Sequence, residues 1–540
     1  MDNNATWTSW GGVRPELAPS ARTFLMDVLG ELTPQEPADI TAAIVPASRL
    51  PKVARAELVD ALGADGVKDD DRIRAEHAGG QSYVDLVRRR HGDASEAPDA
   101  VLLPTAADQI ASVLAICEAA KIAVVPWGGG TSVVGGLTPL AGQHKAVVAL
   151  DLSRLDQLVA VDKTSMTATF EPGIRTPAAE QALAAQGLTL GHVPQSFERA
   201  SLGGYVVTRS AGQASSGYGR FDDLVLGCRM TTPRGELDLP PMPGSAAGPD
   251  LRRLVMGSEG TLGIVTEVTL RVRPLPAVKH YEGWIARSWA DGVRIMRRLA
   301  QTGAKPDIAR LADEAETRAS LAMSGTDGLK KRGLDAWLKL HGVAGGCMMI
   351  MGYEGTAGDV RHRRQEVRRI LRADKAVPLG AGAGSSWEHN RFSGAYLRDT
   401  LLDNGVLVET LETATTWSRL DDLYNGVRRA LTEALTAGTQ LPLVGCHISH
   451  LYPTGASLYF TVLAKADAGR EIAQWTAAKH AANAAIIAAG GTASHHHAVG
   501  TAHQEIVGPD LGGAIGLDAL RAVKSQLDPA GILNPGKLLP

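Results

Sequence analysis

Four groups of residues in this 540-residue chain have types and spacings that can do chemistry. The first is Pro126-Trp-Gly-Gly-Gly-Thr-Ser-Val-Val-Gly-Gly136, with five glycines in nine residues. Glycine lets backbone approach a ligand and adopt positive φ without a Cβ clash. Successive free N–H groups at such a turn make a nest for a phosphate or pyrophosphate. The spacing fits neither the Rossmann fingerprint nor the P-loop, and an ordinary glycine-rich turn stays open as the plain alternative. The second group is Ser494-His-His-His-Ala-Val-Gly500. Three consecutive histidines can move protons, or hold a metal with His447, His450 and His503 as further ligands. The third is Tyr459, on the alternating stretch Gly455-Ala-Ser-Leu-Tyr-Phe460. A phenol with a reference pKa of about 10 acts as a base near neutral pH only beside positive charge, and a tyrosine on an alternating strand is also ordinary core. The fourth is Arg398, whose planar fork suits a phosphate dianion, although Asp399 beside it also reads as a simple salt-bridge partner.

These residues need elements to position them. Residues 1–95 read as a mostly helical segment, with helices over Ala21–Leu32, Ala54–Leu62 and Tyr83–Arg90. From residue 96 to 275 strand and helix signals alternate: a strand at Val101, a helix over Ala107–Lys121, then the strand Ile122–Val125 that leads into the glycine loop. Such alternation predicts an α/β or α+β domain. Two more glycine-rich turns follow, at Leu202-Gly-Gly and Gly257-Ser-Glu-Gly-Thr-Leu-Gly. The proline pair in Arg273-Pro-Leu-Pro marks a boundary, and residues 276–500 form a second unit of helices and strands. Residues 501–540 return as a C-terminal segment to the first unit and the active site. Leu334, Trp337 and Leu338 lie at helical spacing beside basic residues. That pattern reads either as a membrane-surface helix or, preferably, as a surface helix packed on its own domain.

Composition narrows the function classes. A net charge of −3 gives no basic field for nucleic acid. The four cysteines lie far apart with no CxxC pair, which argues against a zinc ribbon or a disulfide framework and for a reducing compartment. No secretory leader is visible at Met1–Thr6 and no apolar run reaches 18 residues, so a cytoplasmic protein is expected.

Pro126–Gly136, Gly203-Gly204, Tyr218-Gly-Arg-Phe-Asp-Asp-Leu-Val225 and Gly257–Glu267, in that order, resemble the vanillyl-alcohol-oxidase (PCMH) type of FAD-binding domain. The resemblance implies an α+β fold: a two-subdomain PCMH-type FAD-binding domain plus an α+β cap domain. It places non-covalent FAD against Pro126, Trp127, Gly128, Gly129, Gly130, Thr131 and Ser132. Further cofactor contacts are expected from Gln195, Ser196, Ser201, Gly203, Gly204, Thr208, Arg209, Ser210 and Ala211. A third set is Glu259, Gly260, Thr261, Leu262, Gly263, Ile264 and Val265. Within this superfamily, Tyr396-Leu-Arg-Asp399, Gly455–Phe460 and Ser494–His497 resemble the alkyldihydroxyacetonephosphate synthase branch. A 2-hydroxyacid dehydrogenase branch carries a histidine where Tyr459 stands and a glutamate where His496 stands, so its metal site is not expected and no metal is assigned.

The branch resemblance implies exchange of the acyl chain of acyl-dihydroxyacetone phosphate for a fatty alcohol through a flavin N5 adduct. The alternative is an FAD-dependent oxidase or dehydrogenase of a 2-hydroxyacid or alcohol. Tyr459, His495, His496, His497 and His192 carry over as catalytic, with the three histidines supplying the positive surroundings Tyr459 needs. Arg398 and Arg310 carry over to the substrate phosphate. Gln195 departs from the family, standing where an acidic residue is usual. The partners expected are a lipid-like or small phosphorylated substrate, a second copy of the chain in a homodimer, and a peripheral membrane contact, with no nucleic acid.

Overall fold

A computed structural model of the chain describes residues 7–12, 14–323 and 328–540. Three larger sheets and their helices build it, with a two-stranded ribbon in which Arg273–Pro274 pairs with Leu188–Thr189. The first sheet runs in the order Val67–Lys68, Ala100–Leu102, Ala146–Asp151, Ile122–Trp127, the last three parallel. Parallel strands are covered on both faces, and these read as near-continuous apolar runs, fully buried from Ala146 to Asp151. Helix Ala107–Ala120 covers them with Ile110, Val113, Leu114 and Cys117, and ends on Lys121 in the left-handed region (φ 56°) to feed straight into Ile122–Trp127. Helix Lys52–Leu62 packs on the same core through Leu58 and Leu62. The boundary expected near residue 95 therefore falls inside this unit, because strand Val67–Lys68 pairs with Ala100–Leu102.

The second sheet is antiparallel, in the order Leu158–Asp162, Thr167–Phe170, Ile264–Arg271, Val225–Thr232, Gly235–Leu239. Helices Thr176–Ala184 and Leu202–Thr208 share its core around Phe170, Leu183, Leu202 and Leu270. Together the two sheets form the two-part first unit expected from the sequence.

The third sheet has seven antiparallel strands: Val377–Gly380, Val278–Ala286, Cys347–Gly355, Ile308–Ala312, Leu443–Tyr452, Gly455–Lys465 and Val406–Thr416. Helices Trp289–Thr302, Ala357–Ala373 and Leu420–Leu435 bury amphipathic stripes in its core, which also takes Leu25 and Leu29 from helix Pro19–Leu29. Helix Gly328–Leu340 turns Leu334, Trp337 and Leu338 onto Ile285 and Val343. This packing is the arrangement of a surface helix seated on its own domain.

The N-terminal stretch acts as a strap between units. The Trp10 N–H donates to Asp399 at 2.7 Å, the Trp10 carbonyl accepts from Arg199 at 2.7 Å, and Trp7 donates to the Ala75 carbonyl at 3.2 Å. The other end of the chain returns as expected. Val124 donates to the Ile532 carbonyl and Asn534 donates back to the Val124 carbonyl, both at 2.8 Å, beside strand Ile122–Trp127. Among the described residues no helix is long and apolar enough to cross a membrane.

Candidate active site

Three glycine-bearing turns meet at the end of strand Ile122–Trp127. The Ser201 hydroxyl caps helix Leu202–Thr208 by accepting from the Gly204 N–H at 3.3 Å. A Cβ on Gly128 would overlap the Ser201 hydroxyl, one on Gly129 the Arg199 carbonyl, and one on Gly260 the Pro126 ring. Backbone at these glycines therefore approaches its neighbours too closely for a Cβ, and only glycine fits. The Ser258 hydroxyl and Asn534 Oδ1 are buried with no partner, groups that a polar ligand would satisfy. A wall too tight for a methyl group, with orphaned buried polar atoms, fits an extended dinucleotide such as FAD. The expected contacts differ in what they can offer. Leu262, Ile264 and Val265 bury their side chains in apolar cores, leaving only main chain for a ligand. Arg209 is paired with Asp222 at 2.8 Å, and Gln195 is exposed near Gly394.

The chemical residues gather on the third sheet. Strand register sets His447 opposite Tyr459 and Tyr459 opposite Glu412, and Ala312 opposite His447. Because side chains alternate along a strand, Arg310, His447, Tyr459 and Glu412 all face the same side of four neighbouring strands. The loop Ser494–His497 lies over this row. Glu412, 2% exposed, accepts from the Ser494 hydroxyl (2.7 Å) and from the backbone N–H groups of His495, His496 and His497 (2.7, 3.1 and 2.8 Å). The far end of the loop is held from the first unit: Glu259 accepts from the Val499 and Gly500 N–H groups, both at 2.8 Å. Two buried carboxylates, one from each unit, thus fix the histidine loop. The Tyr459 ring stacks on His447 at 4.8 Å and lies 6.0 and 5.7 Å from the rings of His496 and His497.

Burial sets the charge states. It pushes His447, His495, His496 and His497 below the ordinary imidazole value and His450 down to about 4. Burial would raise Glu412, but the His495–His497 loop, through the N–H groups it aims at the carboxyl, and the Ser494 hydroxyl outweigh it and hold the carboxyl well below its usual range. Burial also pushes the Tyr459 phenol up to about 12, against a hydrogen bond with Thr410. This corrects one expectation: the histidines are neutral and do not surround Tyr459 with positive charge, so at neutral pH the phenol keeps its proton.

His192 lies apart from this row. It is 1% exposed, wedged edge-on against Tyr205 and Phe221, and meets the Ser210 hydroxyl through Nε2 at 3.1 Å. Burial, with His450, pushes it down to about 3. Its side chain contacts Ser210, and His450 stands between it and the histidine loop. His450, His495 and His496 bring nitrogens to within 4.8 Å of one another, a spacing a metal could use. Those nitrogens are already engaged: His450 Nε2 donates to the Gly212 carbonyl (3.0 Å), its Nδ1 meets Ser449 and Ser457, and His495 meets the Tyr452 hydroxyl at 2.6 Å.

The two arginines expected at the phosphate part company. Arg310 donates to Glu316 at 2.6 Å and lies 3.1 Å from His447, so its charge is matched. Arg398, on helix Ser393–Asp403, donates to Gln81, at 2.8 Å to the carbonyl and 2.9 Å to Oε1, and lies 3.7 Å from Asp399, while its buried Nε has no partner among the described residues. Gln81 in turn donates to the Ser132 carbonyl of the glycine loop at 2.6 Å. Glu412 escaped the sequence reading, and Glu259, expected as a cofactor contact, holds the far end of the histidine loop. The signal for Glu412 was an acidic residue directly after the largely apolar stretch Val406–Leu411.

Comparison with known proteins adds to this geometry. Residues 98–238 match the family described as FAD binding domain, and residues 275–538 the C-terminal domain of FAD linked oxidases. The chain is similar to the alkyldihydroxyacetonephosphate synthase of Dictyostelium discoideum, 32% identical over 92% of this chain and 82% of that one. It is similar to that of Trypanosoma brucei brucei, 31% identical over 90% and 80%. A solved structure of an alkyldihydroxyacetonephosphate synthase superposes with a TM-score of 0.86 at 28% identity, covering 99% of each chain.

Proposed function

The chain belongs to the alkyldihydroxyacetonephosphate synthase family of FAD-dependent enzymes, and on that premise we propose that it exchanges the acyl chain of acyl-dihydroxyacetone phosphate for a fatty alcohol, forming the ether bond of an ether lipid. The observation that carries this reading is Tyr459 held in register between His447 and Glu412 beneath three neutral histidines. When bound, FAD supplies the electron-rich centre at which one oxygen substituent of the substrate is exchanged for another without net redox change.

The chain's own residues handle position and protons. Tyr459, protonated at neutral pH, donates a hydrogen bond and then a proton at the reacting end of the substrate. His496 and His497, neutral and beside the Tyr459 ring, accept the proton of the entering alcohol. Glu412 fixes their backbone so that both rings face the tyrosine. Arg398 receives the substrate phosphate. A homodimer in the cytoplasm with a peripheral membrane contact belongs to the same proposal.

The test is incubation of the FAD-loaded protein with acyl-dihydroxyacetone phosphate carrying a labelled acyl chain, plus a fatty alcohol. Release of labelled fatty acid with formation of the ether product, lost in Tyr459→Phe, supports the reading. Anaerobic bleaching of the flavin by a 2-hydroxyacid, with turnover of an electron acceptor and no exchange, overturns it in favour of an oxidoreductase.

A further inference from the structure

Three arginines from three separate elements cluster beside the glycine loop, three positive charges against the two buried carboxyls of Asp85 and Asp399. Arg89 lies on helix Tyr83–Arg90 and is 3% exposed, yet its Nε has no partner and its other contact is the Gly80 carbonyl. Arg398 spends its two outer nitrogens on the carbonyl and amide oxygen of Gln81 and leaves its buried Nε unpartnered. Arg199, in the turn that packs on Gly129, donates to the Trp10 carbonyl at 2.7 Å and lies 5.1 Å from the centre of the Trp10 ring. All of these hydrogen bonds end on neutral oxygens. The one ion pair among the three is Arg398 to Asp399 at 3.7 Å. Burial pushes Arg89 down to about 10 against the opposing pull of Asp85, with Arg199 and Arg398 adding to the fall; burial, with Arg175 and Arg398, pushes Arg199 down to about 10, and both stay charged at neutral pH.

Like charges, one buried and two partly buried, that donate their hydrogen bonds to neutral acceptors are costly unless an anion completes the site. Arg310 is the contrast: the same residue type, with its charge met by Glu316. We propose that Arg199, backed by Arg89, joins Arg398 in a phosphate-monoester site, so that the headgroup of the substrate is gripped from the first unit and from the cap at once. The inference rests on the function proposed above and extends it to a specificity residue that lies outside the cap. Its chemistry is that of any phosphate ester, and the nearby glycine loop means that the pyrophosphate of FAD is the competing source.

The experiment uses the FAD-loaded enzyme and Arg199→Met, with Arg199→Lys as a variant that keeps the charge but loses the fork. The probes are dihydroxyacetone phosphate in equilibrium binding, and acyl-dihydroxyacetone phosphate against its dephosphorylated analogue in turnover. Loss of a charge-assisted contact predicts binding of dihydroxyacetone phosphate weakened about 10- to 100-fold in Arg199→Met and less in Arg199→Lys. KM for the phosphorylated substrate should rise by a similar factor, with KM for the dephosphorylated analogue and the flavin-to-protein ratio unchanged. Loss of flavin with an unaltered phosphate response would assign Arg199 to the pyrophosphate and overturn the proposal, as would wild-type binding by Arg199→Met. If the wild type binds dihydroxyacetone phosphate through Arg199 but performs no exchange, the proposed function falls while the phosphate site stands.

Discussion

Replacing Glu412 with glutamine tests whether one carboxylate assembles the active site. Oε1 of Glu412 accepts from Ser494, His496 and His497, and Oε2 accepts from the His495 N–H. Glutamine keeps one oxygen, which can serve the first three donors as a neutral acceptor. Its amide nitrogen then faces the His495 N–H, donor against donor. A hydrogen bond to a charged group contributes about 1.5–3 kcal/mol and a neutral one about 0.5–1.5 kcal/mol. Losing one charged bond and weakening three others costs about 3 kcal/mol or more, after allowing the loop to relax. Glu259 still anchors Val499 and Gly500, so the loop should loosen without the chain unfolding. If the histidine geometry matters mainly in the transition state, about 3 kcal/mol corresponds to a rate lowered roughly a hundredfold. The assay is labelled fatty-acid release under saturating substrates, with flavin content measured in parallel, because Glu412 bonds no cradle residue and flavin should stay bound. The carboxyl is held below its unfolded value of 4.5, so its contribution is fully present above that pH and is lost on acidification through the lower folded value. A glutamine variant with wild-type rate and an unchanged melting temperature would refute the reasoning.

Gly129→Ala should abolish flavin retention, because the new methyl overlaps the Arg199 carbonyl, and the absorbance ratio of flavin to protein reads this directly. Glu259 is raised by burial, against the Val499 and Gly500 N–H groups, to about 7. A carboxyl raised in the folded state stabilises fully below its unfolded value of 4.5 and loses that contribution as pH climbs through about 7, a span of about 3 kcal/mol. Melting temperature should therefore fall between pH 5 and 8 more steeply in the wild type than in Glu259→Gln, and parallel curves would contradict this. Acid precipitation of the holoenzyme should leave all yellow colour in the supernatant, since the flavin is expected to be non-covalent; colour retained in the pellet would mean a covalent link.

Local signals carried much of this fold. Helix Tyr83–Arg90 matches its expected span because Ser82 and Asp85 form a reciprocal cap that is visible in four residues of sequence. The glycine turns and the histidine run were legible for the same reason: each is a contiguous pattern. What escaped depends on distant partners. Strand Leu443–Tyr452 carries Gly445, His447 and His450, which break an apolar alternation until neighbouring strands bury them. Helix Ala381–Asn390 is rich in glycine and serine and has weak helical propensity. It forms because Gly384 sits against the Tyr281 backbone and Ala383 against Gly283, a close approach no propensity scale reports. Glu412 reads locally as the polar half of a strand, and its partners lie more than 80 positions away. The neutral histidines were missed because burial, which sets their charge, is a property of the packed chain. Residues 324–327, just ahead of the basic helix, lie outside the described residues.

The return of Ile532 and Asn534 to Val124 has a consequence for how the protein is made. The Asn534 side chain donates to the Gly136 carbonyl 398 positions earlier, and Lys537 to the Thr138 carbonyl 399 positions earlier. The glycine loop therefore leaves the ribosome long before the residues that close its edge exist. Until they emerge, strand Ile122–Trp127 has one unpaired side and the flavin cradle lacks a wall. Loading the cofactor becomes a late step of biogenesis, and a chain cut short before Ile532 should be synthesised, partly folded, and colourless.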